Sequence, residues 1–229
     1  MRRFNVVVAE AKGFPEQAAS TLNSVANLIL LDADRKDLLQ SLSDADVLWV
    51  RLRNRIDAEV MNSAQRLKII CTPTTGLDHI DVEEANRRGI KILSLQGETG
   101  FLSDIRATAE HTIALILALL RKIPQSTVHV IRGGWNRDLF KGHELYKKTA
   151  GVVGYGRLGR IVARYLAAFE MSVLISDPNV DPLSVEPFVT VSSFEDLLSK
   201  ADLVTVHANL CPSTVRLFGR EQFALMKRG

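Results

Sequence analysis

The stretch from Thr149 to Asp177 constrains the fold of this chain more than any other. A short apolar run, Thr149–Val153, leads directly into the turn Gly154–Gly159, which has the sequence GYGRLG. Apolar residues then recur at helical spacing as far as Phe169. Strand, glycine turn and helix in this order predict the start of a dinucleotide-binding fold.

Each glycine of the turn has a separate expected role. Gly154 permits the tight turn, Gly156 lets the backbone approach a pyrophosphate, and Gly159 lets helix and strand pack closely. A second predicted strand, Ser172–Ser176, ends in Asp177, where the fold places the carboxylate that accepts hydrogen bonds from the adenosine ribose. That carboxylate repels a 2′-phosphate and so favours NAD over NADP. The alternative is a structural turn followed by an incidental surface Asp, and the combination of features favours cofactor binding.

The composition excludes several classes of protein. Hydrophobic residues make up 46% of the 229 residues and charged residues 24%, which is typical of a globular chain. The net charge of +3 is spread along the sequence, so no nucleic-acid partner is expected. The apolar run Ile113–Leu120 is far shorter than the roughly 20 residues of a membrane span. Cys71 and Cys211 lie far apart, which predicts neither a disulfide framework nor a metal site, and we expect a cytoplasmic protein.

Residues 1–102 alternate strand-like and helix-like patterns. Strands are predicted at Phe4–Ala9, Asn27–Leu31, Val47–Val50, Leu67–Cys71 and Ile90–Leu93, with helix-compatible segments between them. This alternation predicts an α/β domain with a doubly wound, flavodoxin-like parallel sheet. Ligands of such sheets bind beyond the carboxyl ends of the strands.

Two loops at those ends carry candidate binding residues. The loop Thr72–Asp78 is rich in hydroxyl groups, and Gly76 within it could expose backbone N–H groups to an anion. An ST turn that caps the next helix explains the same loop equally well. Arg51, just past a strand, could pair with a substrate carboxylate, although on spacing alone a solvated surface Arg is the favoured interpretation.

A very apolar helix is predicted between the two domains, over residues 105–120. Ser103 and Asp104 are expected to provide its N-cap, and the helix is expected to be buried between the domains or against another subunit. A second helix is predicted over Pro124–Gly134, followed by a turn in which Trp135 is an anchoring indole.

These stretches together resemble the D-isomer-specific 2-hydroxyacid dehydrogenases. The resemblance rests on specific motifs that cover essentially the whole chain: Thr75–Asp81, Thr108–Thr112, Gly134–Trp135, Gly151–Pro178, Asp202–His207, Thr214 and Ala224–Lys227.

The resemblance implies a substrate domain over residues 1–102 and a Rossmann NAD-binding domain over residues 103–229. It implies hydride transfer from the CH–OH group of a small D-2-hydroxy acid to NAD, and a homodimer built through the apolar helix. Substrate-binding residues would be Arg51, Thr75 and Gly76. Cofactor-binding residues would be Thr75, Thr108, Gly154, Gly156, Arg157, Leu158, Gly159, Asp177, His207 and Ala208. From the sequence alone a structural role for His207 is favoured over a catalytic one, and the resemblance implies that it lies near the cofactor and is not the acid–base.

Departures from the family pattern lead to further expectations. Glu170 stands where the family usually has Gly, and Asn209 where it has Pro. The family's catalytic Arg, Glu and His are expected beyond Gly229, so no catalytic residue is assigned here. We therefore expect a truncated dehydrogenase without the C-terminal helix of its substrate domain. Its Rossmann sheet would be incomplete, ending after about its third strand near Leu203–Val206.

The incomplete sheet has a predicted consequence for function. The first strand of the cofactor sheet would be an exposed edge, so the chain would bind NAD weakly or not at all and turn over no substrate. The rival hypothesis is a non-catalytic NAD-sensing or interaction module of the corepressor kind.

Overall fold

The computed structural model describes residues 2–228 and divides the chain into two compact units. Unit 1 extends to Leu102 and unit 2 begins at Ser103, where the predicted domain boundary also lies. Each unit has a parallel sheet flanked by helices.

Unit 1 is a doubly wound α/β unit. Its elements are β1 Phe4–Val8, α1 Glu16–Val25, β2 Ala26–Leu30, α2 Arg35–Ser41, β3 Val47–Trp49, α3 Ala58–Ser63, β4 Ile69–Cys71, α4 Val82–Arg87, β5 Lys91–Leu93 and α5 Thr99–Leu102. The strand order β2-β1-β3-β4-β5, with every pair parallel, is the flavodoxin-like order. The predicted fold class is therefore confirmed for this unit.

Local sequence explains where the helices of unit 1 begin. Asp34, Asp57 and Asp81 each accept a hydrogen bond from the backbone N–H three residues later, and so cap α2, α3 and α4. The helices cover a core in which Leu48 and Ile70, at the centre of the sheet, are fully buried. These caps and this core fix the strand ends that carry the loops of the site.

Unit 2 contains the second sheet. Its elements are α6 Ala107–Leu120, α7 Ile123–Ile131, β6 Thr149–Val153, α8 Arg157–Ala168, β7 Ser172–Ser176, β8 Val189–Val191, α9 Phe194–Lys200, β9 Leu203–Val206 and α10 Arg220–Leu225. The strands are parallel in the order β8-β7-β6-β9. This is the 3-2-1-4 part of the Rossmann order.

The predicted strand count of unit 2 was wrong. Leu203–Val206 is the fourth strand rather than the third, and it pairs with β6 on the side opposite to β7. The third strand is Val189–Val191, which is too short for its pattern to be recognised. Consequently β6 is a central strand and not an exposed edge, which agrees with the complete burial of Ala150 and Val152.

Predictions for the apolar helix were partly wrong. Its N-cap is Arg106, without a side-chain cap, and Ser103 and Asp104 lie in the turn before it. Only Ala109 and Ile116 of α6 are buried, while Leu119 is 72% exposed. Trp135 is 94% exposed, so its indole does not anchor the turn within this chain.

The apolar helices are short relative to a membrane span. Among residues 2–228 no single helix is long and apolar enough to cross a membrane. Only the bent pair Thr99–Leu120 and Ile123–Ile131, which meet at 65°, satisfies the length and composition together.

Candidate functional site

The three glycines of the turn after β6 have different geometric roles. Gly154 has φ +87°, and a Cβ there would lie 2.6 Å from the Ala208 backbone N, so this glycine admits the loop that follows β9. A Cβ on Gly159 would lie 2.1 Å from the Gly154 carbonyl O, which reflects the close approach of α8 to the turn. A Cβ on Gly156 would meet no protein atom within 4 Å. Gly156 therefore faces open space in front of α8.

Backbone donors point into that space from the start of α8. Among residues 2–228 the N–H groups of Gly156, Leu158 and Gly159 have no hydrogen-bond partner, as expected of the first turn of a helix. The positive end of the α8 dipole lies at the same place. Unpaired N–H groups and a positive dipole end favour binding of a phosphate.

Asp177 follows β7 and lies against the glycine turn. Its Oδ2 accepts a hydrogen bond from the Tyr155 N–H at 2.7 Å, and its Oδ1 accepts one from the Asn179 N–H at 2.9 Å. An ionised carboxylate has about four acceptor positions, so these two bonds orient the group and leave capacity for hydroxyl donors. The Asp therefore lies next to the turn, as the spacing predicted.

Tyr155 holds the turn through a cluster that the sequence did not indicate. Its ring is almost fully buried, and its hydroxyl donates a hydrogen bond to Glu186. The Arg160 guanidinium lies over the ring, 4.5 Å from its centroid, and its Nη1 donates to Glu186 at 3.1 Å. Burial and the hydrogen bond to Glu186 raise the pKa of Tyr155, so the phenol stays protonated as a donor. Glu186 lies in an irregular loop, and no local pattern links it to residue 155.

The end of β9 contributes His207 and Ala208. The His207 N–H donates to the Val153 carbonyl at 2.7 Å, and its Nε2 lies 3.0 Å from Thr205 Oγ1. Burial lowers the pKa of His207, which favours the neutral ring. This environment agrees with a structural residue beside the turn rather than a proton donor.

Arg157 connects the glycine turn to the segment that precedes α6. Its Nη1 donates to the Ile105 carbonyl at 3.1 Å. Thr108 lies in the first turn of α6 and is exposed. Unit 2 contains the predicted positions Gly154, Gly156, Arg157, Leu158, Gly159, Asp177, His207 and Ala208 around the glycine turn, and Thr108 lies on α6, which begins two residues after Ile105. Thr75, Gly76 and Arg51 belong to unit 1.

In unit 1 Arg51 lines a cleft at the carboxyl ends of the strands. The cleft has a volume of about 940 Å³ and is also lined by Phe14, Trp49 and Thr74. Buried Glu10 accepts hydrogen bonds through Oε1 from the N–H groups of Arg51 and Arg53, at 3.0 and 3.2 Å. Glu10 therefore fixes the backbone of this loop while the Arg51 side chain is exposed.

The loop Thr72–Asp78 presents backbone donors at the end of β4. Within residues 2–228 the N–H groups of Thr75, Gly76 and Leu77 have no hydrogen-bond partner. Successive unpaired N–H groups in a turn form a concave surface suited to an anion. The Thr74 hydroxyl donates to the Gly76 carbonyl at 2.7 Å, whereas in the ST turn that the sequence left as an alternative the hydroxyl would accept from an N–H group. The helix after the loop is capped by Asp81 instead.

The parallel sheet, the glycine turn and the adjacent Asp define unit 2 as a dinucleotide-binding domain of the Rossmann type. The residues fit the cofactor, because the Gly156 side of the turn is open where a pyrophosphate would lie. Among the residues that the structure describes, no group of three or more His, Cys, Asp or Glu side chains could hold a metal ion.

Comparison with known proteins identifies the family. Residues 113–229 match the sequence model of the D-isomer specific 2-hydroxyacid dehydrogenase NAD binding domain. The chain therefore belongs to the D-isomer specific 2-hydroxyacid dehydrogenase family, and NAD is the cofactor of the matched domain.

Several relatives illustrate the similarity. D-3-phosphoglycerate dehydrogenase of Methanocaldococcus jannaschii is 38% identical over 93% of this chain and 40% of its own length. Glyoxylate reductase of Thermofilum pendens is 36% identical over 93% of this chain and 65% of its own. The structure of D-lactate dehydrogenase from Aquifex aeolicus, complexed with NAD and lactic acid, superimposes with a TM-score of 0.84 at 26% identity. The superposition covers 98% of this chain and 66% of the D-lactate dehydrogenase chain. The chain thus spans about 40% of the phosphoglycerate dehydrogenase.

Proposed function

We propose that this chain is part of an NAD-dependent oxidoreductase that acts on the CH–OH group of a small D-2-hydroxy acid. The observation that carries the proposal is the open, donor-lined glycine turn beside Asp177, in a chain of this family. Bound NAD would accept the hydride that leaves the hydroxy acid. The residues of unit 2 bind and orient the dinucleotide.

Two parts of unit 2 would divide the recognition of NAD. The N–H groups of Gly156, Leu158 and Gly159 would donate to the pyrophosphate, and Asp177 would accept from the ribose hydroxyls. The 2′-phosphate that NADP carries on this ribose would lie against the Asp177 carboxylate. Discrimination against NADP therefore follows from charge repulsion.

Unit 1 would hold the acid. The N–H groups of Thr75 and Gly76 would donate to the substrate carboxylate, and Arg51 supplies a charged fork at the cleft. Support comes from the three unpaired N–H groups of the loop. The relatives carry names for phosphoglycerate, glyoxylate and lactate enzymes, so the proposed substrate is a small 2-hydroxy or 2-oxo acid.

We further propose that residues 1–229 alone bind NAD but do not turn over substrate. The expectation of weak binding depended on β6 being an edge strand, and β6 is central. No acid–base group is assigned among these residues, and His207 and His79 are both engaged with threonine hydroxyls.

We also propose that the chain forms a homodimer through the apolar face of α6, α7 and the turn after them. Leu115, Leu119, Ile131 and Trp135 are between 58% and 94% exposed there. Exposed apolar side chains of this size are candidates for burial in an interface.

One set of measurements on the purified chain tests these proposals. NADH fluorescence titration should show binding that weakens at least tenfold in Asp177→Ala, and NADPH should bind more weakly than NADH.

Light scattering on a sizing column should give the mass of a dimer. When NADH and pyruvate are both added to the chain, both should bind and the NADH should not be oxidised. Absence of NADH binding would contradict the dehydrogenase proposal, and NADH binding without any 2-oxo acid binding would favour the non-catalytic module.

A further inference from the structure

Beneath the Thr72–Asp78 loop lies a chain of side-chain hydrogen bonds that begins at buried His79. Its Nε2 lies 3.3 Å from Thr72 Oγ1, and Thr72 Oγ1 lies 2.9 Å from Thr74 Oγ1. Thr74 Oγ1 lies 2.7 Å from the Gly76 carbonyl O. Thr72 and His79 are 4% and 7% exposed, so solvent does not compete for the bond between them, while the bond from Thr74 to Gly76 is exposed.

The direction of every bond in this chain can be deduced. A carbonyl only accepts, so the single hydroxyl proton of Thr74 is donated to Gly76. Thr74 then has no proton for Thr72, and the Thr72 hydroxyl must donate to Thr74. Thr72 in turn accepts from His79, which must carry its proton on Nε2.

The remaining nitrogen of His79 supports a neutral ring. Nδ1 is buried and has no hydrogen-bond partner within residues 2–228. Burial lowers the pKa of His79, against the opposing charges of Asp78 and Glu10. A neutral ring with the proton on Nε2 leaves Nδ1 as an unpaired acceptor. The ring therefore donates to Thr72 through Nε2, while Nδ1 has no hydrogen-bond partner among residues 2–228.

The last bond of the chain sets the orientation of a peptide that faces the site. In a trans peptide the C=O and the next N–H point in opposite directions. Because Thr74 holds the Gly76 carbonyl, the Leu77 N–H is turned away from Thr74. Like the N–H groups of Thr75 and Gly76, it has no hydrogen-bond partner among residues 2–228.

We propose that His79 is a positioning residue that acts through Thr72 and Thr74 to aim the N–H groups of residues 75–77 at a substrate carboxylate. This inference rests on the proposed function, because it assumes that the loop binds a small carboxylic acid. It assigns a role to a histidine that does not itself touch substrate.

The test compares variants of the full chain with pyruvate as the probe. Thr74→Val removes the donor to Gly76 and keeps the shape of the side chain, while Thr74→Ser keeps the donor. We expect Thr74→Val to weaken pyruvate binding about tenfold, as for loss of one hydrogen bond, and Thr74→Ser to bind as the parent does. Amide resonances of residues 75–77 report the binding, and NADH affinity should be unchanged in both variants.

A spectroscopic signature checks the histidine directly. The ¹⁵N shifts of the His79 ring should show the proton on Nε2 in the parent chain, and Thr72→Val should weaken pyruvate binding as Thr74→Val does. A proton on Nδ1, or unchanged binding in Thr74→Val, would overturn the inference and leave the proposed function standing. Failure of the parent to bind pyruvate would contradict the substrate site itself, and with it this inference.

Discussion

At the scale of single residues, the two cysteines have opposite environments. Cys211 Sγ lies 3.1 Å from Ser213 Oγ and 3.4 Å from Thr214 Oγ1, and these hydroxyls lower its pKa to about 7. Burial raises the pKa of Cys71. Since the thiolate is the nucleophile, the two thiols should react very differently near neutral pH.

We therefore predict selective alkylation of Cys211 by iodoacetamide. Its rate should rise with pH through about 7 and then level off, while Cys71 stays slow over the same range. Ser213→Ala should move the midpoint upward, since it removes the principal hydrogen bond to the sulfur. Peptide mass spectrometry after timed alkylation measures both sites, and equal rates at pH 7 would contradict the prediction.

Residues of the site differ in how far sequence could predict them. Gly154, Gly156, Gly159 and Asp177 follow from local spacing, because strand, turn and helix fix their geometry within one βαβ unit. Glu186 could not be predicted, because its contact with Tyr155 spans 31 residues and ends in an irregular loop. The hydrogen-bond chain from His79 was missed for a different reason, since the directions of its bonds appear only once the distances are known.

At the scale of elements, the end of α8 contains a residue in an unfavourable conformation. Glu170 has φ +60°, its N–H donates to the Ala167 carbonyl, and the Met171 N–H donates to the Leu166 carbonyl. These bonds form a Schellman motif, whose left-handed position favours glycine. Gly89 occupies the same position after α4, with φ +69°.

Glu170→Gly should stabilise the chain by about 1 kcal/mol, because it removes the steric cost of the left-handed conformation. Urea unfolding at an unchanged m-value measures the effect. Glu170→Ala is the matched control, as it removes the carboxylate, keeps Cβ and should bring no gain. Gly89→Ala should cost a similar amount. Equal stability of Glu170→Gly and Glu170→Ala would refute this reading.

Strands and helices were predictable where their patterns were long. All five strands of unit 1 were located within about two residues, because each is an apolar run bounded by turn residues. The three-residue β8 was not recognised, and this omission misplaced β9 and made β6 an edge. Ser103 and Asp104 resembled an N-cap, but α6 begins three residues later at Ala107.

At the scale of the whole molecule, the two units carry separable parts of the proposed activity. In that proposal the unpaired N–H groups of unit 2 would donate to a pyrophosphate and Asp177 would accept from ribose, while the N–H groups of the unit 1 loop would donate to a small acid. The sequence predicted a parallel sheet in each half of the chain, since each half has its own strand and helix pattern. It could not predict which side of β6 its last strand would occupy, because that depends on where α9 crosses the sheet.

The central claim is that the open face of the glycine turn binds the pyrophosphate of NAD. Gly156→Ala tests it most directly, because Gly156 has φ −76° and the added Cβ meets no protein atom within 4 Å. Gly159→Ala is the contrasting control, since its Cβ would lie 2.1 Å from the Gly154 carbonyl O and should destabilise the fold. We predict that Gly156→Ala unfolds at the same urea concentration as the parent and binds NADH at least tenfold more weakly. Unchanged NADH affinity in Gly156→Ala would contradict the account.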